Sequence, residues 1–204
     1  MHTFRFLASA AIASLAFQAA PAFADEGMWT FDAFPAAKMQ GDYGWAPDGP
    51  WLGRVQAAAV RLTGGCSASF VSPEGLILTN HHCVVECAQD NSTDQRDLLK
   101  QGFVPARREE ELKCPGQQAE VVTAITDVTQ RVKVAMGSST GEALVKARDA
   151  EVARIEKDGC KDAKINRCEV VTLFGGGQYK LYTYRKYSDV RLVFAPEFQA
   201  AFFG

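Results

Sequence analysis

Beyond residue 24, the 204-residue chain has no apolar run approaching the roughly 20 residues that a membrane-spanning helix requires. It has no surplus of positive charge either. Its 22 Lys plus Arg stand against 24 Asp plus Glu, a formal net charge of −2, so no electrostatic footprint for nucleic acid is present. Histidine is scarce, with three residues in all. No Gly-x-Ser-Gly type nucleophile segment surrounds Ser67, Ser69, Ser72, Ser92, Ser138, Ser139 or Ser188. Gly175-Gly-Gly177 is followed by a strand pattern, and no Lys-Ser/Thr pair closes a phosphate loop, so it reads as a turn.

What is there begins with Met1 to Ala24, which carries Arg5, an apolar stretch from Phe6 to Phe17, and Ala22-Phe23-Ala24 as a small-x-small cleavage site. This is the form of a secretory signal peptide, and it predicts a soluble protein exported to a periplasm. Removing it takes away His2 and Arg5 and leaves residues 25–204 with a net charge of 21 − 24 = −3. That length suits one domain with a real core or two small lobes. The six cysteines, Cys66, Cys83, Cys87, Cys114, Cys160 and Cys168, all lie in the exported part. An even number in an oxidising compartment reads as three disulfides, for which fifteen pairings exist.

Ser67 to Ser72 and Leu76 to Asn80 are β-prone runs on either side of Pro73-Glu74-Gly75, a hairpin with a three-residue turn. The hairpin returns Cys83 to the side of Cys66. Neighbouring strands supply the Cα separation of about 4.4–6.8 Å that a bridge needs. Closing a loop of 83 − 66 = 17 residues is worth roughly 3 kcal/mol in the chain-entropy model. Proximity favours Cys87 with Cys114 and Cys160 with Cys168 for the rest. Asp25 to Gly53, with Trp29, Phe31, Phe34, Trp45 and Trp51, reads as a wrapping segment packed on a barrel, with an exposed aromatic patch for ligand binding as the alternative, and Arg54 to Leu62 as a short helix or strand. Ser92-Thr-Asp-Gln95 has the form of a capping box for a short helix ending near Gly102. Glu120 to Val128 alternates as a strand. Thr140 to Asp158 is an amphipathic helix with Leu144, Val145, Val152 and Ile155 inward, Ser138-Ser139 as its cap and Gly159 as its stop. Cys168 to Phe174, Gln178 to Arg185 and Val190 to Ala195 read as three further strands.

Thr79-Asn-His-His-Cys83 ends the hairpin with a histidine beside a cysteine that is tied back to the preceding strand. That arrangement resembles the surroundings of the catalytic histidine in chymotrypsin-like proteases. In an extended segment His81 and His82 point to opposite faces, so one of them enters a cleft. His82, next to the cysteine, matches the general base, and an imidazole with an ordinary pKa of about 6.5 can take a proton from a serine hydroxyl and return it to a leaving amine.

Four motifs narrow the resemblance. They are Gly27-Met28-Trp29, Gly65-Cys66-Ser67, Gly75-Leu-Ile-Leu-Thr-Asn-His-His-Cys83, and Tyr182-x-Tyr-Arg-x-Tyr-x-Asp-Val-Arg-Leu-Val-Phe-Ala-Pro196. Together they resemble the bacterial dipeptidyl peptidases of serine peptidase family 46, across nearly all of residues 25–204. The resemblance implies a mainly β fold with helical insertions, the N-terminal part of a chymotrypsin-like double β-barrel. It also implies Ser-His-Asp chemistry, no metal or other cofactor, and removal of dipeptides from peptides with a free N-terminus, and it leaves a homodimer of the full-length enzyme open. In that family the triad aspartate follows shortly after the Phe-Phe-Gly with which this sequence stops, and the serine lies far downstream. The chain is thus expected to carry one of three catalytic residues, His82, and to be inactive alone; Asp189 is expected to be structural. Two rival readings are a metal site built from His81, His82, Cys83 and Cys87, and a non-catalytic secreted binding module on a protease-like barrel.

Overall fold

The computed structural model describes residues 29–202. The signal-peptide reading of residues 1–24 and the residues Gly27-Met28 of the first motif lie outside them. Helices α1 (Ala36–Tyr43) and α2 (Gly49–Ala58) lead into strands β1 (Ala59–Leu62), β2 (Ser67–Phe70) and β3 (Ile77–Thr79). Short helices α3 (Val85–Asp90) and α4 (Leu98–Gln101) follow, then β4 (Leu112–Lys113) and the long β5 (Ala119–Asp127). The chain continues through α5 (Thr129–Met136) and α6 (Gly141–Gly159) to β6 (Asn166–Leu173), β7 (Gln178–Tyr187) and β8 (Arg191–Leu192). Six strands form one antiparallel sheet in the order β3-β2-β1-β5-β7-β6, and β4 pairs with β8.

The hairpin forms as its turn residues dictate. Gly75 takes the left-handed region at φ 91°, which a side chain would strain, and Leu76 N–H donates to Ser72 Oγ at 3.1 Å. The register Ala68↔Thr79, Ser69↔Leu78, Phe70↔Ile77 then sets Cys66 opposite the end of β3. The arc from Gln178 to Tyr187 pairs on both sides, with β5 and with β6, and is the backbone of the sheet. A register shift between Val122 and Ala124 releases Thr123 from the ladder, and its hydroxyl donates to the Thr183 carbonyl at 3.1 Å.

Three apolar clusters hold these elements. Val60, Leu62, Ala119 and Val121 lie under the hairpin and contact Cys66, Phe70, Ile77 and Cys83. Cys87, Ala88, Leu98, Phe103, Leu192 and Ala195 form a second cluster around α3, α4 and the C-terminal segment. The third joins Val132 of α5 and Ile155 of α6 to Tyr179 and Leu181 of β7. α6 therefore buries Ile155 and packs Val152 against the same cluster, as its period requires, but Val145 is exposed.

Local signals misled elsewhere. The cap of α4 is Asp97, whose carboxylate accepts from Leu99 and Lys100 N–H, while Ser92 instead accepts from Leu98 N–H and donates to the Ala88 carbonyl. The N-cap of α6 is Thr140, not Ser138-Ser139. Residues 29–58 are mostly helical: Asp48 accepts from Trp51 N–H at 2.7 Å and starts α2. Phe31 and Phe34 are half-buried, whereas Trp29, Tyr43, Trp45 and Trp51 are all exposed, with Trp45 set edge-on to Trp51 at 6.2 Å. The half-buried side of α2 carries Leu52, Val55 and Ala58 together with Gln56, which donates to the Val122 carbonyl of β5.

Candidate active site

β3 does not run on through the histidines. After Asn80 the chain tightens into a 3₁₀ turn, His81–Cys83, closed by Cys83 N–H to the Asn80 carbonyl at 3.1 Å and Val84 N–H to the His81 carbonyl at 3.0 Å. The alternation expected of an extended segment therefore does not apply, and the two side chains are separated by helical rotation instead. The outcome is still a division into one inner and one outer histidine. His81 is 9 % exposed, and its Nε2 lies 3.2 Å from the Pro196 carbonyl, which requires that nitrogen to carry the proton. Its ring also tilts against Phe198 at 5.9 Å between centroids. His82 is exposed.

Three disulfides brace this region and the rest of the fold. Cys66 joins Cys83 with 6.1 Å between Cα atoms, Cys87 joins Cys114 at 5.0 Å, and Cys160 joins Cys168 at 5.6 Å. The first ties the histidine turn to the start of β2, and a ring nitrogen of His82 and both sulfurs lie within 4.8 Å of one another. The second anchors α3, directly after that turn, to the segment following β4. The quartet His81, His82, Cys83 and Cys87 is not assembled as a metal site. Cys83 and Cys87 belong to different bridges, and the His81 ring is committed to Pro196.

Asp189 is exposed and ion-paired, at 2.8 Å to Arg191 and 3.7 Å to Lys113. The Arg191 guanidinium, aided by Lys113, holds its carboxyl below the usual carboxylate range. An open cleft of about 1140 Å³ lies between the Ser72–Leu76 turn, Arg108 and Arg191, and its lining takes in Cys83 and Val84 but neither histidine.

Two polar clusters carried no signal that spacing alone could decode. Lys180, near the start of β7, is 2 % exposed and donates to Asp32 at 2.7 Å and Thr30 at 3.1 Å. Glu120 of β5, 3 % exposed, accepts from Arg61 of β1 at 2.6 Å and Arg167 of β6 at 2.8 Å. Arg167 also lies over the Tyr184 ring at 4.1 Å and pairs with Glu169. Each sits between two core residues, Glu120 between Ala119 and Val121 and Lys180 between Tyr179 and Leu181, so it faces the other side of the sheet, where its burial requires a partner.

The sequence matches the Peptidase S46 family over residues 24–204. It is 36% identical over 194 residues to the Asp/Glu-specific dipeptidyl-peptidase of Porphyromonas endodontalis, an alignment that covers 90% of this chain and 27% of that protein. Dipeptidyl-peptidase 7 of Phocaeicola vulgatus is 34% identical over 200 residues, with the same two shares of 90% and 27%. In three dimensions the fold superposes on the crystal structure of Porphyromonas endodontalis DPP11 in complex with substrate with a TM-score of 0.72 and 30% identity, over 86% of this chain and 27% of that one. The chain spans about a quarter of the length of the relatives it matches. No helix among the described residues is long and apolar enough to cross a membrane. With its antiparallel sheet, its helices and a family match that runs through both histidines, the chain belongs to the peptidase S46 family.

Proposed function

We propose that this chain is the histidine-bearing part of an exported serine-type dipeptidyl aminopeptidase, which releases dipeptides from peptides with a free N-terminus by Ser-His-Asp acyl transfer. His82 is the general base in this reading. The observation that carries it is the contrast between two adjacent imidazoles. His81 is buried and spends its Nε2 proton on Pro196, whereas His82 is exposed on a turn braced by the Cys66–Cys83 bridge. A base must reach the serine hydroxyl beside the bound substrate, a position better suited to an exposed imidazole than to one buried against Pro196. The aspartate and the serine are supplied from outside residues 1–204, as are the oxyanion-hole donors.

The test is made in an enzyme completed with the sequence missing here relative to its relatives. His82→Ala there should lower turnover on the order of 10⁴- to 10⁶-fold, the scale of losing a triad member. His81→Ala should leave most of the turnover of the correctly folded fraction. Equal catalytic loss from both, with folding intact, would overturn the assignment. The 204-residue chain by itself should neither turn over dipeptidyl fluorogenic substrates nor be labelled at serine by a fluorophosphonate. In an exporting host, N-terminal sequencing should find the chain beginning at Asp25.

A further inference from the structure

The corner formed by His82 and the neighbouring bridge holds three potential ligand atoms, the two sulfurs and one imidazole nitrogen, within 4.8 Å of one another. No other such triple of His, Cys or carboxylate groups occurs among the described residues. As a disulfide the sulfurs are bonded at 2.06 Å and offer no thiolate. We propose that reduction of Cys66–Cys83 converts this corner into a Cys₂His site for a zinc-like divalent cation.

Geometry favours it. A tetrahedral ion with Zn–S of about 2.3 Å and Zn–N of about 2.0–2.1 Å keeps its ligand atoms roughly 3.5–3.8 Å apart. The nitrogen lies within 4.8 Å of both sulfurs, so a rotamer adjustment of about 1 Å brings it to that spacing, and two released sulfurs relax apart to van der Waals contact of the same size. What positions the ligands does not depend on the bridge. The β2–β3 ladder from Ala68↔Thr79 to Phe70↔Ile77 and the two backbone bonds of the His81–Cys83 turn survive its loss. Access is also present, because both cysteines are half-buried and His82 is exposed, which leaves a fourth position open to water. Cys87 and Cys114, by contrast, are 8 % and 7 % exposed.

The redox step needs a dithiol reductant. One of its thiolates attacks a bridge sulfur and expels the other as a thiolate; its second thiol then resolves the mixed disulfide. Two electrons pass to the protein, and the reductant leaves as a cyclic disulfide. The cation then displaces the remaining thiol protons, and the two thiolates balance its charge. A His82 ring bound to metal has no lone pair for a proton. That catalytic consequence rests on the reading of His82 as base, but metal binding does not.

The test reads binding rather than turnover. The full chain is reduced with a dithiol, freed of excess reductant and titrated with Co²⁺ alone. The reduced chain should take up one equivalent with thiolate-to-cobalt charge-transfer absorption, and the oxidised chain none. A Cys66→Ser/Cys83→Ser variant lacks the same bridge as the reduced chain, so it matches it in constraint, and it should show no such absorption after the same treatment. His82→Ala should weaken binding by at least the roughly 10–100-fold that losing even an outer partner of a ligand costs. Unchanged absorption in the double serine variant, or unchanged affinity in His82→Ala, would overturn the proposal. So would loss of the far-ultraviolet circular dichroism of the reduced chain, since a site that does not survive the reduction creating it cannot bind. None of these failures touches the assignment of His82 as base.

Discussion

Two neighbouring residues of one type have opposite energetic roles here, and each can be tested separately. His81 fills a buried position and satisfies the Pro196 carbonyl, so truncation leaves that acceptor unpaired and removes the contact with Phe198. His81→Ala should cost about 1–3 kcal/mol, the penalty of a buried unsatisfied group. His82→Ala, at an exposed site, should stay within about 0.5 kcal/mol of the parent. Chemical denaturation of both variants checks this, and a more destabilised His82 variant would contradict the burial contrast. The sequence carried the identity of the pair and its tether: the turn Pro73-Glu74-Gly75 and the spacing of Cys66 and Cys83 are local chemistry. It did not carry the conformation of the pair, because β-like residues before the histidines say nothing of the 3₁₀ turn that begins after Asn80. That turn is closed by its own backbone bonds and packed against Pro196, 115 residues away.

The C-terminal segment reaches His81 through a close crossing of two backbones. Gly102 ends α4 at φ 70° and ψ 178°, a region nearly reserved for glycine. A Cβ there would stand 3.0 Å from the Ala195 carbonyl oxygen and 3.3 Å from Glu197 N, both backbone atoms that cannot swing aside. The next residue, Phe103, exchanges hydrogen bonds with Ala195 at 2.7 and 3.0 Å, immediately before Pro196. Gly102→Ala should therefore cost about 1–3 kcal/mol and should also increase hydrogen exchange at Phe103 and Ala195. An alanine variant as stable as the parent would show that the crossing is looser than this geometry. Helix α4 and its end at Gly102 were legible from sequence, yet the cap was misread because Asp97 and Ser92 are equally good acceptors and only packing chooses between them. The outward aromatics of α1 and α2 were illegible for a related reason. Their spacing is irregular, and composition cannot say which side meets a neighbour.

At the scale of the whole molecule, buried charge joins elements far apart in the chain. Lys180 docks residues 30–32 onto β7, 148 residues away from Asp32. Only the ammonium is buried, since the Asp32 side chain is 32 % exposed; removing Asp32 leaves that buried charge uncompensated, whereas replacing the buried ion with an apolar group of similar volume is often near neutral. Asp32→Asn should thus lower the thermal midpoint more than Lys180→Met does; the reverse order would show that the ammonium is better solvated than its 2 % exposure implies. Glu120 works across the sheet in the same way, linking β1 through Arg61 to β6 through Arg167, with Tyr184 of β7 beneath the guanidinium. Burial opposes its ionisation, but hydrogen bonds and charge from Arg167 and Arg61 outweigh that and hold its carboxyl below the ordinary 4.5. The sign follows from linkage. A carboxyl with a depressed folded pKa contributes stability that is fully present above 4.5 and is lost as pH falls through the folded value. Glu120→Gln should therefore be less stable than the parent at neutral pH, and the gap between their thermal midpoints should narrow as pH drops below 4.5, where the parent carboxylate also gains its proton. A gap that stayed constant from pH 7 to pH 3, or widened in acid, would mean that Glu120 does not hold the three strands together through its charge.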